Sequence, residues 1–96
     1  MIHELGGVGY GWHRGSGGEI YGTLIYNNGW VAPDRAHGHA IYAQNQDGGV
    51  FQKRMVDNIA FNQFMDNIDL WGSSNAPLNN FLLEGNALFN SGLAKE

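Results

Sequence analysis

The sequence predicts an all-β fold, a right-handed single-stranded parallel β-helix (a β-solenoid) of about three coils. Three observations predict it. One six-residue block recurs three times, a second strand-like run recurs at a similar interval, and Asn and Gly supply most of the polar share. The 96 residues include 15 glycines and 11 asparagines. Both types enter left-handed backbone readily, so a chain rich in them is a chain of tight turns. Charged residues are 15% of the total, below the quarter or so usual for soluble domains, and good helix formers are too scarce for a bundle. Hydrophobic residues reach 43%, enough for a core in a single domain and too many for wholesale disorder.

Met1-Ile2-His3-Glu4-Leu5 reads as the end of one coil. The glycine-rich stretch that follows reads as a strand, Val8 to Trp12, and then a flexible turn. It lacks the Gly-Lys-Ser/Thr ending of a phosphate loop, and no helical pattern follows it. Trp12, His13 and Arg14 would sit one coil before the most loaded loop, on a similar face.

The first copy of the repeated block is Gly22-Thr23-Leu24-Ile25-Tyr26-Asn27. Asp57-Asn58-Ile59-Ala60-Phe61-Asn62 and Gly85-Asn86-Ala87-Leu88-Phe89-Asn90 are the second and third. The aromatic positions are 35 and 28 residues apart, and Ile20, Met55 and Leu83 stand two residues before each block. His39-Ala40-Ile41-Tyr42-Ala43 and Asn67-Ile68-Asp69-Leu70-Trp71 form the second register, with Ile41 and Ile68 separated by 27. A unit of about 27 residues with three short strands divided by Gly/Asn turns is the mark of a solenoid. Layers stacked at ~4.8 Å pair each strand with its copy in the next layer. Ile20, Met55 and Leu83 are then expected above one another inside, as are Tyr26, Phe61 and Phe89. Asn27, Asn62 and Asn90 are expected to form a ladder of side-chain amides at a turn. A small β-sandwich with coincidental Asn turns is the competing fold. It would need more hairpin signals than Asn28-Gly29, the one Asn-Gly pair.

Thirteen residues separate Asn27 from Ile41, but only five separate Asn62 from Ile68. This places an excursion of about eight residues at one turn of one coil, and solenoids often carry such insertions on a binding face. The loop is Trp30-Val31-Ala32-Pro33-Asp34-Arg35-Ala36-His37-Gly38-His39. Three readings stay open. Trp30 stacks on a sugar ring, Arg35 pairs with a sugar carboxylate, and His37 or His39 acts as general acid or base. Alternatively, His37 and His39 bind a metal with Asp34. In the third reading the loop is structural: Asp34 and Arg35 pair with each other or with backbone, His39 hydrogen-bonds in a turn, and Trp30 packs over the coil edge. The leading assignment makes Arg35, His37 and His39 the catalytic candidates and assigns no metal. If Ile41 and Ile68 point inward, Tyr42, Gln44, Asp69 and Trp71 share an outward face beside this loop. With Trp30 and Asp34 they are the substrate-binding candidates.

Other classes have no support. The net charge of −4 argues against nucleic acid as a partner. No apolar run approaches the ~20 residues that span a bilayer, so no membrane partner is expected. The N-terminal residues lack the basic and apolar regions of a signal peptide. With no cysteine there is no disulfide framework or thiolate metal site. The serines sit in Gly/Asn turns without a nucleophile-elbow pattern. No cofactor is assigned.

The stretches from Ile20 to Trp30, Pro33 to Tyr42, Asp57 to Asn62, and Glu84-Gly85-Asn86 with Phe89-Asn90 together resemble the pectate-lyase-like, right-handed parallel β-helix repeat proteins. The resemblance covers roughly residues 1 to 92. It implies a secreted or cell-surface protein that binds or acts on an acidic or neutral polysaccharide or oligosaccharide. Family lyases use an Arg or Lys base and often Ca²⁺ held by several acidic residues; Asp34 and Arg35 are what this sequence offers there. The expected function is a polysaccharide-interacting domain, with lyase or glycoside hydrolase activity left open. The alternative is a non-enzymatic structural or adhesive module of a surface or tailspike-like protein. About three coils are near the minimum for stability, and no capping helix is visible. Residues 1–96 are therefore expected to be one segment of a longer solenoid, with further coils of the same chain as its partners.

Overall fold

The structure is a computed structural model that describes residues 1–5, 9–12, 15, 17–31, 36–45, 49–75 and 78–92; at 31, 36 and 37 it describes the backbone. Twelve strands lie among them: β1 (Ile2–His3), β2 (Tyr10–Trp12), β3 (Gly18–Tyr21), β4 (Leu24–Tyr26), β5 (Trp30–Val31), β6 (Ala36–His37), β7 (Ile41–Ala43), β8 (Lys53–Val56), β9 (Ile59–Phe61), β10 (Ile68–Leu70), β11 (Phe81–Glu84) and β12 (Ala87–Phe89). The first sheet has the order β1-β4-β9-β12, the second β10-β7-β2 and the third β11-β8-β3. Every pair in these three sheets is parallel. The chain visits first, second and third sheet in turn and then returns to the first. The fold is all-β, with parallel strands in three stacked sheets, an arrangement compatible with a β-solenoid.

The registers are those the repeats imply. Ile20, Met55 and Leu83 are successive Cα partners in the third sheet. Tyr26, Phe61 and Phe89 are partners in the first, and Ile41 pairs with Ile68 in the second. Strand alternation then decides what is inside. Ile25, Ile41, Ala43, Met55 and Ala60 are buried, with Ile20 and Ala40. Each fully buried aliphatic side chain stabilises the fold by about 1.5–3 kcal/mol, and the alanines leave room for Ile and Met across a narrow interior. The same inward columns are 43% exposed at Leu83 and 44% at Leu88.

Two expectations need correction. The aromatic column is not inside. Ile25 and Ala60 occupy the inward position of the first sheet, so their neighbours Tyr26 and Phe61 turn outward. There the rings stack face to face at 4.9–5.2 Å, and His3 joins below Tyr26. Nor do Asn27, Asn62 and Asn90 form the amide ladder. All three hold left-handed backbone, φ 50–56°, which turns the chain from the first sheet toward the second. The ladders stand one residue later. Asn28 Oδ1 accepts from the Leu5 N–H, Gln63 Oε1 accepts from the Asn28 N–H, and Gln63 Nε2 donates to the Ile25 carbonyl. The turn between third and first sheets repeats the device. Gly22, Asp57 and Gly85 are left-handed. Asn58 Oδ1 accepts from Thr23 N–H, Asn86 Oδ1 accepts from Asn58 N–H, and the two Nδ2 groups donate to Ile20 and Met55 carbonyls.

Candidate functional site

The excursion holds an antiparallel strand pair, β5 with β6, between the strands of the first and second sheets in chain order. Its base is pinched. A Cβ on Gly38, at φ +110°, would lie 2.1 Å from the Gly29 Cα, so Gly38 must be glycine. The pinch is anchored on both sides: Gly29 N–H donates to the Leu5 carbonyl at 2.8 Å, and Met65 N–H donates to the Gly38 carbonyl at 2.8 Å. Trp30 and His37 are Cα partners across the hairpin. Trp30 is 49% exposed and makes further contacts. Asp34 and Arg35 lie outside the described residues, as does the side chain of His37, so the proposed His37–His39–Asp34 constellation lies outside them too.

Where the hairpin returns, His39 enters the second sheet's outer face. Its position is set by the stack: the His39 carbonyl accepts from Gly9 N–H below, and the Asp66 carbonyl above accepts from Ala40 N–H. His39 and Asp66 are thus the same position in adjacent layers, 27 residues apart like Ile41 and Ile68. Tyr42 and Asp69 are Cα partners one step along. Four side chains from two layers form a two-by-two array.

The imidazole is the centre of that array. Asp66 N–H donates to its Nδ1 at 3.3 Å, and an Asp66 carboxylate oxygen stands 3.5 Å from the same nitrogen. An Asp69 carboxylate oxygen lies 3.5 Å from Nε2. The Tyr42 ring sits 5.8 Å from the imidazole, tilted by 40°. His39, Asp66, Asp69 and Tyr42 are all half-buried, and Asp66 and Tyr42 have additional interactions. The three ionisable groups offer ligand atoms within 4.8 Å of one another. Chemically, such a group can hold or move a proton, or accept hydrogen bonds and positive charge from outside.

Gln44 and Trp71 follow in the same register. Trp71 N–H donates to the Ala43 carbonyl, and its side chain is 62% exposed. Gln44 is half-buried, and its carbonyl receives the Lys53 ammonium. Trp12 does not extend a groove. It packs on the core, with Lys53 Nζ 4.9 Å above its ring; His13 and Arg14 lie outside the described residues. Asp66 was not among the residues singled out by sequence. The 27-residue offset from His39 is the signal that would have found it.

No family model matches this chain, and no curated protein or solved structure does either.

Proposed function

We propose that the chain is a right-handed parallel β-helix of about three coils, of the pectate-lyase-like kind, whose second-sheet outer face and hairpin bind a polysaccharide. Right-handedness is supported by the near-universal hand of parallel crossovers within one sheet. The binding reading is carried by one observation: Tyr42 and Asp69 stand side by side with His39 and Asp66, at the foot of the hairpin that holds Trp30. Aromatic rings beside carboxylate and imidazole groups suit sugar rings, which present apolar faces and hydroxyl edges. His39, flanked by two carboxylates, is the group for general acid–base work. Arg35 and His37 from the hairpin would complete the site, with Asp34, Gln44 and Trp71 at its rim. A secreted or cell-surface location goes with this reading.

The experiment is a binding panel of pectin, alginate, glycosaminoglycan, neutral and amine-bearing glycans against the native chain and Trp30→Ala, Tyr42→Ala and His39→Ala. Binding weakened by these substitutions is expected. Silence across the panel at millimolar glycan removes the reading. Ultraviolet-absorbing unsaturated products identify a lyase, and new reducing ends without that absorbance identify a hydrolase.

A second reading is favoured by one observation. His39 is already engaged by Asp66, Asp69 and Tyr42, as expected of a structural or adhesive solenoid module whose polar side chains serve the fold. His39→Ala then lowers stability and leaves glycan binding, if any, unchanged.

A further inference from the structure

The corner that carries the excursion places a glycine after a buried asparagine. An asparagine side-chain amide can be attacked by the backbone nitrogen of the next residue, and glycine there, with no Cβ, hinders the attack least. The inward amides Asn58 and Asn86 are followed by Ile59 and Ala87, and Gln63 by Phe64. Asn28 is followed by Gly29, whose φ of +97° suits glycine where the chain leaves the first sheet. In the folded chain one residue holds both reacting groups. Leu5 N–H donates to Asn28 Oδ1 at 3.1 Å, and the Leu5 carbonyl accepts from Gly29 N–H at 2.8 Å. Asn28 is fully buried, its N–H donates to Gln63 Oε1, and its carbonyl accepts from Phe64 N–H. The nitrogen cannot lose its proton to water, and the amide carbon cannot turn toward it.

Leu5 follows β1, which among the described residues is an outer strand of the first sheet, with β4 as its neighbour. When residues 1–5 leave the sheet, the amide and the nitrogen are freed together. We propose that Asn28-Gly29 is a latent modification site, closed by Leu5 and opened by departure of β1, whose product does not close again. In the open corner the Gly29 nitrogen gives its proton to solvent base and bonds to Asn28 Cγ. The Cγ–Nδ2 bond breaks, and Nδ2 takes up a proton and leaves as ammonia. One water then opens the succinimide, to aspartate at one carbonyl or to isoaspartate at the other. The aspartate keeps one oxygen for Leu5 N–H. Its second oxygen takes the place of Nδ2, which is buried and has no hydrogen-bond partner among the described residues, so a charge there is costly. Isoaspartate lengthens the backbone by one carbon and shifts Gly29 away from Leu5 and from its close approach to Gly38. Either product loosens the base of the excursion that carries Trp30.

The test incubates the native chain in mildly alkaline buffer, folded and in urea, and maps ammonia loss by mass spectrometry with isoaspartate resolved. Loss at Asn28 is expected to be at least about tenfold slower in the folded chain, because only the open population reacts. Asn90-Ser91, exposed at both residues, is expected to react at similar rates in the two states. Ile2→Ala removes packing that seats β1 against the core. It is expected to raise the folded-state rate at Asn28 several-fold and to leave that at Asn90 unchanged. Asn28→Asp supplies the product directly: amide exchange at Gly29 and Met65 is expected to quicken, with slow exchange kept at Thr23 and Asn58. If Asn28→Asp does not fold, the same exchange is read on native chain partly converted by incubation. A folded-state rate at Asn28 equal to the unfolded one overturns the proposal, as does an Asn28 rate that Ile2→Ala leaves unchanged. Full protection of Gly29 and Met65 in the converted chain also overturns it, since the corner would then have closed over the product.

Discussion

Two corners of the first sheet differ in a way that separates stability from chemistry. Where the third sheet passes to the first, the chain spends two residues each time: Gly22-Thr23, Asp57-Asn58 and Gly85-Asn86. Where the first passes to the second, it spends fourteen residues between β4 and β7 but six between β9 and β10. The first corner is uniform, so each layer can satisfy the next, and Asn58 and Asn86 bond down the stack. The second corner breaks the repeat. The extra eight residues project the hairpin, and His39 and Asp66 emerge beneath it. The second corner keeps buried amides of its own, Asn28 and Gln63, and adds polar side chains that face out.

The strongest way to break the comparison is at the uniform corner. Asn58 is fully buried, accepts from Thr23 N–H and donates to Ile20 and Asn86. Asn58→Ala strands a buried donor and a buried acceptor, each costing about 1–3 kcal/mol. A loss near 3 kcal/mol is expected in urea or guanidinium unfolding. A loss under 1 kcal/mol would mean that the ladder is not what holds this corner.

The irregular corner is probed by a pair of glycines. Gly22, at φ +59°, has open space where a Cβ would go, so Gly22→Ala meets backbone strain alone, about 1 kcal/mol. Gly38→Ala adds the collision with Gly29 and should cost about 2 kcal/mol or more. The same Cβ would lie 2.8 Å from the Asn28 carbonyl, far from the Asn58 corner, so Gly38→Ala should open the second corner locally. Faster amide exchange at Gly29 and Met65, with slow exchange retained at Thr23 and Asn58, is the expected pattern. Uniformly faster exchange would show that the two corners are one cooperative unit.

The layering was legible because it depends on spacing alone. Tyr26, Phe61 and Phe89 could be aligned, as could Ile41 with Ile68, and the excess between Asn27 and Ile41 announced the excursion. Direction was harder to read. Leu24-Ile25-Tyr26 is apolar at all three positions, so alternation does not say which of Ile25 and Tyr26 turns inward. Asn27-Asn28 poses the same problem at the turn: one residue takes the left-handed backbone and the next carries the amide inward, and the two types are identical. Tyr42 and Asp69 came out side by side because Ile68-Asp69-Leu70 alternates cleanly and the 27-residue spacing aligns β7 with it. Asp66 escaped because it lies outside the strand, where apolar alternation marks nothing.

The ring column tests that ambiguity directly. Phe61 stacks on both sides, against Tyr26 and Phe89, whereas Phe89 has one described ring neighbour and is 48% exposed. Phe61→Ala should cost about 1.5 kcal/mol and Phe89→Ala about 0.5, from stacked-pair and partial-burial values. A Phe61→Ala cost of 3–5 kcal/mol would instead match a core phenylalanine and put the column inside.

The smallest effect sits at the third corner, between second and third sheets, where a buried lysine accompanies the buried Asn45 amide, which donates to the Asn79 carbonyl. Lys53 Nζ donates to the carbonyls of Trp12, at 3.1 Å, and Gln44, over the Trp12 ring. Among the described residues no carboxylate pairs with it. Burial therefore holds its amine below the ordinary 10.5, since desolvation disfavours the charged form. Between that lowered value and 10.5 the unfolded chain binds more protons than the folded one, so stability rises with pH across that window. Below the window the penalty is constant. Lys53→Met keeps most of the packing and removes the charge, but leaves two carbonyls without their donor. These terms oppose, so the change near pH 7 should stay within about 1 kcal/mol. The discriminating quantity is the slope: denaturation midpoints between pH 7 and 10.5 should climb less in Lys53→Met than in the native chain. Parallel curves would mean that the ammonium is hydrated in solution, and that this corner is open to water.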